Sequence, residues 1–86
     1  MNPHEIIKNP LATEKAVRLM EAENKLIFIV NRKSNKFEIK KAAEELLKIK
    51  IDKVNTMITS GGKKKAYLTL NRENKALDIA TRLGLM

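Results

Sequence analysis

Lys25-Leu26-Ile27-Phe28-Ile29-Val30 is the stretch on which the fold turns. Successive side chains of a strand point to opposite faces, so Leu26, Phe28 and Val30 share one face and Ile27 and Ile29 the other. Both faces are apolar, so both need cover, and a strand covered twice is a central strand with helices on either side. Residues 26–30 are also the longest apolar run in the chain, far short of the roughly 20 residues that span a bilayer. No membrane insertion is expected.

Upstream of this strand, Glu5-Ile6-Ile7-Lys8 reads as a short edge strand stopped by Asn9-Pro10. Thr13 is placed to cap the next helix, and Glu14 sits in the first turn, where the helix dipole favours an anion. Ala16, Val17 and Met20 repeat at helical spacing, and Asn24 is the expected stop. Downstream, residues 31–35 form a polar connection. Asn35 then caps a helix, with Glu38 in the reciprocal capping-box position. Its buried stripe is Ile39, Ala42, Ala43, Leu46 and Leu47. Lys36, Lys40, Lys41 and Lys48 fall outside the stripe, and Glu44 and Glu45 lie four residues from three of them, so intrahelical ion pairs are expected. Phe28 and Phe37 both read as core.

Ile49, Ile51, Val54, Thr56 and Ile58 open a second β-type stretch, and residues 66–70 alternate in the same way. Gly61-Gly62 between them marks a hairpin. The chain closes on a helix with Asn74 as the expected cap, Leu77, Ile79, Ala80 and Leu83 as its apolar positions, and Gly84 as its stop. The order is strand, helix, strand, helix, hairpin, helix. The expected fold is α+β, a small antiparallel sheet with helices on both faces, forming one domain over residues 1–86.

The sequence carries 18 Lys and Arg against 10 Asp and Glu, a net +8. Residues 1–30 are neutral (four basic, four acidic), residues 31–65 sum to +7 (eleven basic, four acidic), and residues 66–86 to +1 (three basic, two acidic). An excess concentrated in the middle of a chain that is 43% hydrophobic describes a basic surface on a folded domain, and its commonest partner is nucleic acid. No basic-then-apolar signal segment opens the chain, so a cytoplasmic protein is expected.

Catalytic chemistry is missing. There is no cysteine, which removes disulfides, thiol nucleophiles and cysteine zinc sites. The single histidine, His4, has no motif around it, and Gly61-Gly62 lacks the flanks of a phosphate loop. No cofactor, no metal site and no catalytic residue is expected. Base-stacking platforms need several strand aromatics, and here there is at best Tyr67. Lysine binds phosphate as a point charge without the planar fork of arginine, so recognition should act on phosphate and shape.

Residues 6–15 (IIKNPLATEK) resemble the opening of ribosomal protein L23 of the large subunit, in its archaeal form. The resemblance continues through residues 24–30, Asn35-Lys36, Ile39-Lys40, Lys53-Val54-Asn55-Thr56, residues 64–70 and residues 79–84, and so covers nearly the whole chain in order. It implies a structural constituent of the large subunit, bound to ribosome in the cytoplasm, that contacts large-subunit ribosomal RNA beside the exit of the nascent-peptide tunnel. It further implies a monomer among neighbouring ribosomal proteins, and docking of nascent-chain factors, notably the signal recognition particle. Bacterial members carry a long hairpin loop into the tunnel. Here the loop is short, which places this chain at the rim.

Carried over residue by residue, the resemblance implies RNA contact by Lys36, Lys40, Asn55, Thr56, Lys64, Lys65 and Tyr67, with Lys63 beside them in the turn and Lys15 a further candidate. Glu14 matches the factor-docking acid of bacterial members, although stabilising its own helix would account for it equally well. Asn55 has a bland alternative too, an amide that only bridges a neighbouring backbone group. Alternation sends Lys63 and Lys65 to the face opposite Lys64, so a regular strand cannot lay all three on one flat surface. The rival functional readings are a small basic DNA-coating chromatin-type protein and a protein-interaction domain with incidental lysines.

Overall fold

A computed structural model describes residues 3–84. The elements in chain order are α1 (Pro3–Ile6), β1 (Ile7–Pro10), α2 (Glu14–Glu23), β2 (Lys25–Val30), α3 (Lys36–Leu47), β3 (Ile51–Ile58), β4 (Lys64–Leu70) and α4 (Ala76–Arg82). The four strands form one antiparallel sheet in the order β1-β2-β4-β3. The fold is α+β, β2 lies inside the sheet, and β3 and β4 form the hairpin. The edge strand needs two corrections: Glu5 and Ile6 close the short helix α1, so the strand starts only at Ile7, and it runs on through Asn9-Pro10, the pair expected to stop it. Pro3 opens α1, where its missing N–H costs nothing, and Ile6 packs into the core.

Leu26, Phe28 and Val30 of β2 and Ala66, Leu68 and Leu70 of β4 line one face of the sheet. They pack with Ile39, Ala42 and Ala43 of α3 and Ile79 and Ala80 of α4. Phe28 is 3% exposed and lies across from Ala66, whose small side chain leaves room for the ring. On the other face Ile27 is buried, as is Ala16 of α2, and neither joins that core. The helix that packs against β2 there is α2. A bulge between Ile51 and Lys53 leaves Asp52 as the extra residue, so Ile51 and Val54, three apart, are both buried on the core side. A matching bulge in β1 makes Lys8 the extra residue on the opposite sheet edge.

Helix ends follow local chemistry in four of five expected places. Thr13 Oγ1 accepts from Ala16 N at 3.2 Å. The Asn35–Glu38 capping box is complete, with N–H to carboxamide 2.8 Å and N–H to carboxylate 3.1 Å. Gly84 ends the last helix at φ +79°. Asn74 does not cap α4. The helix starts after Lys75, and its Ala76 N–H donates to Asn24 Oδ1 at 2.7 Å. Asn24 also donates from Nδ2 to Asn74 O at 2.8 Å and, more weakly, to Leu70 O and Asn71 O, while its own backbone (φ 54°) closes α2.

One side chain thus ties together the end of α2, the end of β4 and the start of α4. Asn24→Ala removes a cap, strands a part-buried N–H and several carbonyls, and forces a Cβ residue without local hydrogen bonding into a left-handed conformation. The expected cost is about 2–4 kcal/mol, read from urea unfolding. Asn24→Gly should be milder by about 1 kcal/mol, because glycine accepts that conformation. A cost below about 0.5 kcal/mol for the alanine variant would show that water replaces the carboxamide.

Candidate nucleic-acid interface

The face of the sheet turned away from α3 and α4 carries three cross-strand rows. These are Lys25–Thr69–Lys53, Ile27–Tyr67–Asn55 and Ile29–Lys65–Met57. Directly opposed side chains in such rows lie about 4.5–5.5 Å apart at Cβ. Toward the β3 edge this face is open. Lys53 is exposed, Met57 is 49% exposed, and Asn55, Lys65 and Tyr67 are half-buried. Among the described residues, neither the Asn55 amide nor the Tyr67 hydroxyl has a hydrogen-bond partner, so Asn55 bridges no neighbouring backbone group. The sequence reading names Asn55, Lys65 and Tyr67 but misses Lys53 and Met57. Their parity with Asn55 along one strand was the signal that places them on the same face.

The other expected residues lie elsewhere. Thr56 and Lys64 point to the core side, half-buried, opposite Ala66 and Val30 respectively. Lys64 Nζ donates to Ser34 O at 2.6 Å, which joins the hairpin to the β2–α3 loop. Lys63 is exposed in the turn, and Lys36 and Lys40 lie on α3 with Lys36 exposed. Lys15 and Glu14 are exposed on α2, and the Glu14 carboxylate pairs with Arg18 at 2.9 Å. The expected set is therefore divided among the open sheet face, the flank of α3, the hairpin turn and α2, with Thr56 and Lys64 on the core side.

Two expectations about α3 need correction. Phe37 is not core but 84% exposed. It lies two residues from buried Ile39, about 200° around the helix, so helical phase puts it outside. It shares its side of the helix with Lys40 and Lys41, three and four residues on. Among the described residues Glu44 and Glu45 pair with no lysine of this helix. Glu44 instead accepts from Ile51 N at 3.0 Å, tying the helix end to β3. The lysines of α3 are less neutralised than their spacing suggests.

Among the described residues there is no group of three or more His, Cys, Asp or Glu that could hold a metal, and no helix long and apolar enough to cross a membrane. A small α+β sheet with one open, lysine-bearing face and a second basic flank places the chain in the class of small basic α+β modules, whose surfaces suit a polyanion. The particular family follows from comparison with known proteins. Residues 5–77 match the family model for Ribosomal protein L23, and the chain belongs to that family. It is a structural protein of the large ribosomal subunit, working in translation, with ribosomal RNA and other large-subunit proteins as partners. The family is structural and not one of enzymes.

Proposed function

We propose that this chain binds large-subunit ribosomal RNA beside the exit of the nascent-peptide tunnel, with the open β3–β4 face as its principal contact. The observation that carries this reading is the register that sets Asn55, Lys65 and Tyr67 beside Lys53 and Met57 on one uncovered surface. Lysines there neutralise phosphates, the Asn55 amide offers both donor and acceptor, and Tyr67 and Met57 give apolar contact to a sugar or base. Lys36, Lys40 and exposed Phe37 form a second surface on α3, where a ring between lysines can stack an unpaired base. Only residues 59–63 connect β3 to β4, which suits a position on the tunnel rim. Glu14, exposed in the first turn of α2, is the acid offered to the signal recognition particle, in competition with Arg18.

Binding should be dominated by charge. If six to eight phosphates are neutralised, affinity for a large-subunit ribosomal RNA transcript should fall about a thousandfold or more between about 50 and 200 mM salt. Competition against random duplex DNA at one salt concentration separates this reading from a DNA-coating role. Preference for the transcript supports ribosomal RNA binding, and equal displacement by both supports coating. A constant that barely moves with salt would reject both and leave a protein-interaction domain.

A further inference from the structure

Beside the open face, three segments meet at the hairpin end of the sheet and line a cleft of about 260 Å³. Lys8 comes from the β1 bulge, Arg32 from the β2–α3 loop, Lys63 from the hairpin turn and Lys64 from the start of β4, with Ile29 of the Ile29–Lys65–Met57 row also in the wall. All four charged residues of its wall are basic. By contrast Glu38 and Glu45 line the cleft beside α1, and Glu21 and Glu23 the one at the end of α2. Among the described residues Lys8, Arg32 and Lys63 form no ion pair.

The fold holds these cations together against their mutual repulsion. A regular edge strand would continue the alternation through Lys8, whereas the bulge takes it out of register and re-aims it. The loop is fixed by Lys33 N–H to Asn31 Oδ1 at 2.9 Å and Ser34 N–H to Asn31 O at 3.1 Å. The turn is fixed by Gly62 N–H to Thr59 O at 2.9 Å and Lys63 N–H to Thr59 Oγ1 at 3.2 Å. The 2.6 Å bond from Lys64 Nζ to Ser34 O then clamps the turn against the loop. Gly62 has φ +81°, a conformation that suits glycine, and a Cβ placed on it would lie 3.6 Å from Arg32 Nη1, so the guanidinium stands beside the turn. Cations carried on fixed segments around a cleft free of carboxylates are arranged for an anion, and an arginine among them offers the paired donors that suit phosphate oxygens. The cleft is smaller than the roughly 300–1,000 Å³ of small-molecule pockets and open to solvent, which suits a stretch of backbone laid across it.

We infer that this cleft is a phosphodiester subsite, next to the open sheet face at its hairpin end, in which Lys8, Arg32 and Lys63 hold the sugar-phosphate backbone of folded RNA while Lys64 clamps the two loops that form it. The inference rests on the proposed binding of ribosomal RNA and adds a second point of attachment to it. With the turn on one side and the edge strand on the other, the backbone would be gripped at the end of the hairpin, as well as along its face.

The test uses the full chain and a large-subunit ribosomal RNA transcript, with affinity measured across salt. A cleft variant carrying Lys8→Gln, Arg32→Gln and Lys63→Gln is compared with a charge-matched control carrying Lys50→Gln, Arg72→Gln and Lys75→Gln. The control residues are exposed and lie at the opposite end of the sheet, where Asn71 N–H meets Lys50 O. Each variant loses the same two lysines and one arginine. The cleft variant should lower the slope of log affinity against log salt by about two to three and weaken binding by about thirtyfold or more, and the control should change the slope by less than one. In amide NMR spectra of the unsubstituted chain, the signals of Arg32, Gly62 and Lys63 should move on adding the transcript. Equal losses in the two variants, with both melting like the unsubstituted chain, would overturn the subsite and leave diffuse attraction. Failure of the unsubstituted chain to prefer the transcript over random duplex DNA would instead overturn the reading beneath it.

Discussion

Phe28→Ala should remove about a quarter or more of the stability of this protein, while Phe37→Ala should leave it almost unchanged. The two phenylalanines are the same side chain in opposite surroundings, 3% and 84% exposed. Truncating a buried phenylalanine costs about 3–5 kcal/mol, because the lost transfer energy is joined by the cavity left behind. Around Phe28 that cavity cannot collapse easily. Its neighbours across the strands are Ala66 and Pro10, neither of which has a flexible side chain to swing into the gap. At roughly 0.05–0.15 kcal/mol per residue, 86 residues hold about 4–13 kcal/mol in all. An exposed phenylalanine on a helix, by contrast, changes stability by about 0.5 kcal/mol or less. Urea unfolding of both variants checks the contrast, with the change read as a lower midpoint at constant slope. Equal midpoints would mean that β2 is not the strand on which the core is built. RNA affinity should move the other way: Phe37→Ala weakens it by about tenfold if the ring stacks a base, whereas folded Phe28→Ala binds as before.

That contrast also marks what a linear reading could see. The five-residue apolar run at 26–30 is period-two information, and it placed β2 inside the sheet and Phe28 in the core. Helical phase was equally available for Phe37, two residues from Ile39, but residue type was allowed to outweigh it. The hairpin was legible because Gly61-Gly62 sits between two alternating runs. The β2–β4 pairing was not, since it joins strands more than thirty residues apart and nothing local in either specifies the other. The α4 cap failed for the same reason. Asn74 has the right chemistry at the right distance from the helix, yet the acceptor at Ala76 N–H comes from Asn24, 52 residues earlier. At residues 5–8 the apolar pair Ile6-Ile7 fits a strand, and a four-residue helix is too short to show a period. For the interface, strand parity was enough to group Asn55 with the missed Lys53 and Met57, but the cleft of Lys8 and Arg32 depends on which strands are neighbours. Strand order was needed before those cations could be placed together.

Reversing Lys53 and Lys65 together should exclude the protein from the large subunit without unfolding it. Both side chains lie on the open face, Lys53 in the row of Thr69 and Lys65 in the row of Met57, four residues along β4 and so about 13 Å apart. Neither takes part in an ion pair or a side-chain hydrogen bond among the described residues, so Lys53→Glu with Lys65→Glu should shift the melting temperature by only a few degrees. Against RNA the same change places two carboxylates where two phosphates would be. Like charges so juxtaposed cost several kcal/mol, which at about 1.4 kcal/mol per tenfold is a loss of a hundredfold or more. The readout is the fraction of protein that co-sediments with large subunits. Lys64 must be left out of the double variant. Its ammonium donates to Ser34 O, and a carboxylate there would face a carbonyl oxygen and loosen the hairpin, so a loss of incorporation would report folding as well as contact. In the same sedimentation assay Glu14→Lys, on α2, should leave incorporation intact and reduce retention of the signal recognition particle; unchanged retention would return Glu14 to its helix-stabilising role beside Arg18. Full incorporation of the double variant would mean that the open face looks into solvent in the assembled subunit. The weight of RNA attachment would then pass to the flank of α3, where Lys36, Phe37 and Lys40 stand exposed or half-exposed with no carboxylate paired to either lysine.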